Sequence, residues 1–324
     1  MTMYDYILEE KKVLLNILDN FKNIDIHSKK NILIIATGSS KNAALSTKYF
    51  IQNVLDCSVS IVEPFNYINY SKMNNNIDLV ILITQSGKSA SILDAYEYVR
   101  KVSNVEILTI TSNKNCKLAN ESDYFLDLNI GEEKVGFVTK GFSATILNLY
   151  LLAIENSKIN KTKYRKELRS IINEIPSAIE LANKVCCENS EIFKLCDRFI
   201  CIAYGDLYGI AKEFETKFTE TVRVPSSGYE LEQYMHGPYL EASKNYVLMF
   251  LNIDDKNIKR SKMLQCYMSN YVKKTFDFKH STQFISLYMA SIVQVLSYRI
   301  SELKLIDLEK RIFDDFDKVL KSKV

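Results

Sequence analysis

Between residues 31 and 154 the chain alternates two textures. Apolar runs at 31–36, 59–62, 79–83, 105–110 and 124–128 lack the every-other-residue polarity of a strand with one wet face. Short continuous runs of this kind read as parallel strands buried on both faces. Helix-periodic stretches at 41–55, 89–102 and 138–154 lie between or after them, as the crossovers between parallel neighbours require. The alternation predicts a doubly wound α/β sheet. A polar, Lys-rich stretch at 156–165 then precedes a second series: a helix at 166–184, a strand at 199–203, a turn at Tyr204-Gly205-Asp206, a helix at 207–221 and a strand at 246–251. The interval from the strand at 199 to that at 246 resembles the interval from 32 to 79, which suggests a duplicated α/β unit. The tail, 284–323, is helical in pattern. The expected organisation is two doubly wound, flavodoxin-like parallel-sheet lobes in tandem. They comprise residues 1–160 with an N-terminal helix and 161–324 with a helical tail, and with nine Gly and four Pro in the whole chain no flexible linker is expected.

Composition narrows the class of partner. The chain of 324 residues is 47% apolar and 25% charged, an ordinary globular balance with room for two cores. Forty-two basic against 39 acidic side chains is too even a balance for a protein that lives on phosphate backbones, so nucleic acid is not an expected partner. No apolar stretch approaches a bilayer span, and the start runs into Glu9-Glu10-Lys11-Lys12 instead of a signal core, so no membrane is expected and the cytoplasm is the expected compartment. Seven cysteines at irregular spacings, with no CxxC and three histidines, argue against a disulfide framework or a metal site.

Three constellations could carry chemistry. Thr37-Gly38-Ser39-Ser40 and Thr84-Gln85-Ser86-Gly87-Lys88-Ser89 each follow a buried strand and open a helix. In a parallel sheet both turns lie at the carboxyl edge, where hydroxyls, backbone N–H groups and helix N-termini suit an anion, a phosphate above all. The bland alternative is that the hydroxyls merely cap helices. A nucleotide P-loop is excluded, because Leu82 stands where that motif needs its first Gly. On the helix at 207–221, Leu207, Ile210, Ala211, Phe214 and Phe218 form one stripe, and Glu213, Lys217 and Glu220 another. In isolation the second stripe reads as a solvated Glu-to-Lys pair; a catalytic use requires that face to look into a cleft where one carboxylate can act as a base. His236, directly before Gly237-Pro238, is the best acid/base candidate, since His27 and His280 lie in polar segments and read as surface residues.

The ordered set of Thr37-Gly38-Ser39-Ser40, Thr84-Gln85-Ser86-Gly87, Glu132-Glu133-Lys134, Thr139-Lys140, Glu213, Lys217, Glu220 and His236-Gly237-Pro238 resembles the sugar isomerase (SIS) family. It is most similar to the isomerase half of glucosamine-6-phosphate synthase and to the amino-sugar-phosphate deaminases built like it. The resemblance implies that Gly38, Ser39, Ser40, Thr84, Gln85, Ser86 and Ser89 hold a sugar phosphate. It implies that Glu220 moves a proton between C1 and C2 with Lys217 beside it, and that His236 assists ring opening from a neighbouring subunit in a homodimer with a shared site. The family's C-terminal lysine best matches Lys318, with Lys321 and Lys323 close by. No cofactor or metal is implied. Aldose–ketose interconversion and amine loss at C2 both need a carboxylate base, a ring-opening group and a grip on phosphate.

Two departures bear on substrate. Nothing in the chain matches the synthase's glutaminase domain, so glutamine is not the expected ammonia donor. Pro225-Ser226-Ser227-Gly228-Tyr229 stands where those enzymes usually carry a His-Ala-Glu segment. The expected function is a phosphosugar isomerase or deaminase acting on a 6-phosphorylated amino sugar or ketose, with a fructosamine 6-phosphate deglycase or a non-catalytic phosphosugar-binding module as alternatives.

Overall fold

The computed structural model describes every residue except Val135, Arg311, Asp314 and Val324. It divides into two compact units built from separated stretches: residues 12–134, 140–165 and 310–324 form one, and residues 1–11, 135–139 and 166–309 the other. In chain order the first half holds α1 (Met3–Asn20), β1 (Asn31–Ile35), α2 (Gly38–Leu45), α3 (Lys48–Leu55), β2 (Ser58–Val62), α4 (Pro64–Tyr70), β3 (Leu79–Ile83), α5 (Ala90–Val102), β4 (Glu106–Thr111), α6 (Lys117–Glu121), β5 (Tyr124–Asp127) and α7 (Lys140–Asn156). The second half holds α8 (Lys161–Glu188), α9 (Ser190–Leu195), β6 (Arg198–Ala203), α10 (Leu207–Thr221), β7 (Ser226–Glu230), α11 (Leu231–Met235), a 3-10 turn (Pro238–Glu241), β8 (Tyr246–Ile253), α12 (Ile258–Met268), β9 (Lys274–His280), α13 (Ile285–Leu303) and α14 (Phe316–Leu320).

The first unit contains a five-stranded, wholly parallel sheet in the order β2-β1-β3-β4-β5. Its central strand β3 is Leu-Val-Ile-Leu-Ile with all five residues buried, as a strand covered on both faces must be. One face packs Leu33, Ile35, Val80 and Leu82 against Ile92, Ala95 and Val99 of α5. Helix α7 is apolar on every side and buried along nearly its whole length. The predicted helix at 41–55 is two helices, because the Ser46 hydroxyl donates to the Asn42 carbonyl (2.8 Å) and the Thr47 hydroxyl to that of Ala44 (3.1 Å), competing with the helical ladder.

The second unit contains a four-stranded parallel sheet in the order β7-β6-β8-β9. This repeats the arrangement of the first four strands of the other sheet, as a duplication of one α/β unit would. Ile200, Ile202, Leu248 and Phe250 pack against Leu231, Tyr234, Leu264 and Met268. The predicted helical tail is not continuous. Helix α13 stops at Leu303, Leu305 takes a left-handed backbone (φ 58°), and among the described residues beyond it the five of α14 resume helix. The apolar residues of α13 are mostly buried, but those of α14 are exposed, Phe316 at 54% and Val319 at 66%. Among the described residues no helix is long and apolar enough to cross a membrane.

Helix α10 and strand β7 are drawn together at Gly228. A Cβ there would lie 1.9 Å from the Ala211 carbonyl oxygen, a backbone atom that cannot swing aside. Gly228 N–H also donates to Glu215 Oε2 at 2.9 Å. Gly228→Ala should therefore cost about 1–3 kcal/mol, the range for forcing extra volume into a packed site. A lowered urea midpoint at unchanged m-value is the expected reading, and an unchanged midpoint would show that the two elements do not approach so closely.

Candidate functional site

In the five-stranded unit the strand order reverses between β1 and β3, and open α/β sheets bind ligands at the carboxyl ends of strands beside such a switch point. The two hydroxyl turns follow those two strands. Gly38 takes a left-handed conformation (φ 55°), and a Cβ there would meet nothing within 4 Å, so the turn after β1 presents open backbone. Neither Thr37 nor Ser89 accepts a side-chain capping hydrogen bond from α2 or α5, so capping does not occupy these hydroxyls. Gly87 (φ 70°) closes the second turn against Cys116, whose Sγ would lie 2.6 Å from an added Cβ.

The second turn is held from several sides. The Gln85 carbonyl oxygen accepts from Ser112 Oγ (2.6 Å), Ser112 N–H (3.0 Å) and Thr111 Oγ1 (3.1 Å). Asn113 Nδ2 donates to the Ser86 carbonyl at 3.1 Å. The Gln85 side chain donates through Nε2 to Glu133 Oε2 at 2.6 Å, an oxygen that also accepts from Gly141 N–H (3.1 Å) at the start of α7. At the α5 end, Ala90 N–H donates to the Ser322 carbonyl (3.1 Å), and Ser89 and Lys323 form an isolated antiparallel bridge. The C-terminal tail thus meets the second turn through residues 322–323. Lys318 is an exposed residue of α14, and Lys323 is ion-paired with Asp317.

In the four-stranded unit the corresponding switch point lies between β6 and β8, and Gly205 repeats the left-handed turn glycine (φ 59°). Here the Tyr204 hydroxyl donates to the Ile253 carbonyl and accepts from Ile253 N–H, both at 3.2 Å, tying the two strand ends together. The charged groups of this unit sit instead on α10. Lys217 Nζ lies 3.6 Å from Glu213 Oε1 and 2.5 Å from Glu220 Oε2. The reading of this stripe as a solvated pair is corrected: Glu213 and Lys217 are 0% exposed and Glu220 is 36% exposed. The apolar stripe is buried as expected. The buried ammonium is held between two carboxylates, one sealed and one reachable from solvent.

His236 is exposed at the end of α11, and Gly237 beyond it has φ 133°, a conformation that favours glycine. The entry to α11 is fixed by Glu230, whose Oε2 accepts from Glu232 N–H (2.8 Å) and Gln233 N–H (3.0 Å). Beneath it the buried Tyr234 hydroxyl has no partner, and burial raises its pKa well above the usual tyrosine value. His27 is a surface residue beside Asp25. His280 is not: its side chain is mostly buried, with Nε2 2.9 Å from Glu174 Oε2 and Nδ1 accepting from Thr282 N–H at 3.2 Å. Among the described residues no cluster of His, Cys, Asp and Glu could hold a metal ion. The role of Glu133 in holding Gln85 was not legible from spacing, since the two are 48 positions apart.

Two parallel, doubly wound units, with hydroxyl-bearing turns at the switch point of one of them, define the α/β class of the protein. Residues 25–155 match the SIS domain. A glutamine–fructose-6-phosphate aminotransferase (isomerizing) from Thermotoga maritima is 26% identical over 347 aligned positions, which take in 95% of this chain and 57% of that enzyme. The chain thus spans little more than half the length of this relative. A Clostridium difficile 630 protein, described provisionally as a phosphosugar isomerase, superposes with a TM-score of 0.86 at 27% identity, covering 100% of this chain and 99% of the other. A glucosamine-6-phosphate deaminase from Thermotoga maritima shares the fold at a TM-score of 0.82 and 21% identity, covering 96% of this chain and 97% of its own.

Removing one partner of a buried ion pair leaves an uncompensated charge, at a cost of about 3–5 kcal/mol. Lys217→Met should therefore lose that order of stability in chemical denaturation, and adding Glu213→Gln should recover much of it. Equal stability of Lys217→Met and the parent would mean that the ammonium is not held as described.

Proposed function

We propose that this chain, whose residues 25–155 match the SIS domain, is a phosphosugar isomerase or deaminase, acting on a 6-phosphorylated amino sugar or ketose by proton transfer between C1 and C2. The observation that carries the proposal is the pair of hydroxyl turns after β1 and β3, at the switch point, with their helix N-termini uncapped by side chains. In this reading Gly38, Ser39, Ser40, Thr84, Gln85, Ser86 and Ser89 hold the phosphate. Glu220 is the base, because of the three charges on its stripe it is the one that reaches solvent while Glu213 and Lys217 are sealed, and Lys217 sits beside it in the sugar site. His236 assists ring opening from the partner subunit of a homodimer, which its exposure allows. A lysine of the tail, Lys318 in the match that the resemblance implies, attacks the open-chain carbonyl. The likeness to a deaminase and to an isomerizing aminotransferase supports this class of chemistry, and the compartment is the cytoplasm.

Ser39→Ala combined with Ser86→Ala should weaken binding of glucosamine 6-phosphate and fructose 6-phosphate at least about tenfold, while leaving the unphosphorylated sugars little changed. Calorimetric titration of both pairs tests this, and equal weakening of phosphorylated and unphosphorylated sugars would remove the phosphate assignment.

Glu220→Gln should lower turnover by about 10²–10⁴-fold with little change in sugar-phosphate affinity, because a general base acts in the transition state. It should equally stop exchange of the substrate C2 proton with deuterated solvent. Mixing Glu220→Gln with His236→Ala subunits should restore part of that exchange, since a hybrid dimer has one intact shared site. Parental exchange in Glu220→Gln would eliminate this base, and inactive hybrids that demonstrably form would eliminate the shared site.

A further inference from the structure

We propose that Glu133 is a positioning residue that orients the Gln85 side chain for ligand before any ligand arrives. This inference rests on the proposed role of the second turn in phosphosugar binding. The geometry on which it stands lies wholly within the five-stranded unit.

Gln85 is fixed at its backbone by three donors to one carbonyl oxygen, but its side chain would otherwise be free to rotate. A terminal amide offers NH₂ at one end and an acceptor oxygen at the other, and only the NH₂ end can face a carboxylate. Glu133 Oε2, 2.6 Å from Gln85 Nε2, therefore selects both the rotamer and the orientation of the amide. The second N–H and the carbonyl oxygen of that amide are left for a ligand. Glu133 is itself held by the Gly141 N–H, at the positive end of the 17-residue helix α7, where a carboxylate is stabilised by the helix dipole. Space closes the arrangement. A Cβ at Gly141 would lie 2.0 Å from Gln85 Nε2 and 2.5 Å from its Cδ, so the Gln85 amide occupies the volume that any other residue at 141 would need. Glu133, Gln85 and Gly141 thus form one clamp, and its effect is preorganisation: the rotamer freedom of a glutamine is given up on folding instead of on binding.

The test uses the full chain, with calorimetric titration of glucosamine 6-phosphate and fructose 6-phosphate. Glu133→Ala should weaken binding about tenfold, the effect of losing one charge-assisted hydrogen bond. Glu133→Gln should retain affinity within about threefold, because an amide oxygen can still accept from Gln85 Nε2 and Gly141 N–H. Adding Glu133→Ala to Gln85→Ala should cost nothing further if Glu133 acts through Gln85. Gly141→Ala, whose Cβ would displace chiefly the flexible Gln85 amide (2.0 Å) and press less closely on Glu133 Oε2 (3.0 Å) while keeping the Glu133 charge, should reproduce the loss, and it serves if Glu133→Ala does not fold. Additive losses in the double variant, or parental affinity in both Glu133→Ala and Gly141→Ala, would overturn the positioning role while the phosphosugar reading stands. A parent chain that binds neither sugar phosphate would overturn both.

Discussion

Every neighbouring pair of strands in both sheets is parallel, and that constraint organises the rest. Parallel neighbours cannot be joined by a tight turn, so each connection must recross the sheet, and helices come to cover both faces. All strands of a sheet then release the chain at the same edge, and where the strand order reverses two such releases diverge and leave a crevice. In the five-stranded unit the turns at that edge are rich in glycine, serine and threonine and carry Gln85, with open space around Gly38. In the four-stranded unit the same topology ends in Tyr204 bridging to Ile253. Two copies of one architecture are thereby differentiated by a few turn residues.

Burial on both faces also decided what could be read from the sequence. Strands β1, β3, β4, β6 and β8 are continuous apolar runs and are found within a residue or two of where the pattern puts them. Strand β7 is Ser-Ser-Gly-Tyr-Glu and β9 is Lys-Thr-Phe-Asp-Phe-Lys-His, both at sheet edges, where one side meets no neighbouring strand and polar residues are tolerated. Neither carries the buried-strand signal, so neither is visible without the partner it pairs with. The tail misleads in the opposite sense. Ile312, Phe316, Val319 and Leu320 have helical spacing, but spacing alone does not supply the packing that makes a long helix stable, and all four are exposed.

The candidate site shows the same division between local and tertiary information. The Thr/Gly/Ser turns are local features of sequence, fixed by the strand before and the helix after, and they are legible. The environment of the α10 charges is not, because Glu213, Lys217 and Glu220 have the spacing of any solvated helix face. What separates the two cases is the packing of α10 against β7 and α13, including the Gly228 approach and the bond from the Thr221 hydroxyl to the Ser297 carbonyl (3.2 Å). Glu133 is a further instance: its partner Gln85 lies on another turn of the sheet, and nothing in the intervening sequence announces the contact.

The presence of two carboxylates around Lys217, where one would neutralise it, has a physical rationale in the proposed chemistry. A base that accepts a proton from carbon loses its negative charge for part of each cycle. If Glu220 were the only partner of Lys217, that step would leave a fully buried ammonium uncompensated, and the desolvation cost of several kcal/mol would be added to the barrier. Glu213, 3.6 Å from the same ammonium and sealed from solvent, keeps Lys217 compensated whether or not Glu220 carries the proton. In that proposed chemistry the sealed carboxylate would hold the charge balance while the reachable one exchanged protons, so a buried ion group that would be a poor choice for stability alone would suit a residue that must change charge in place.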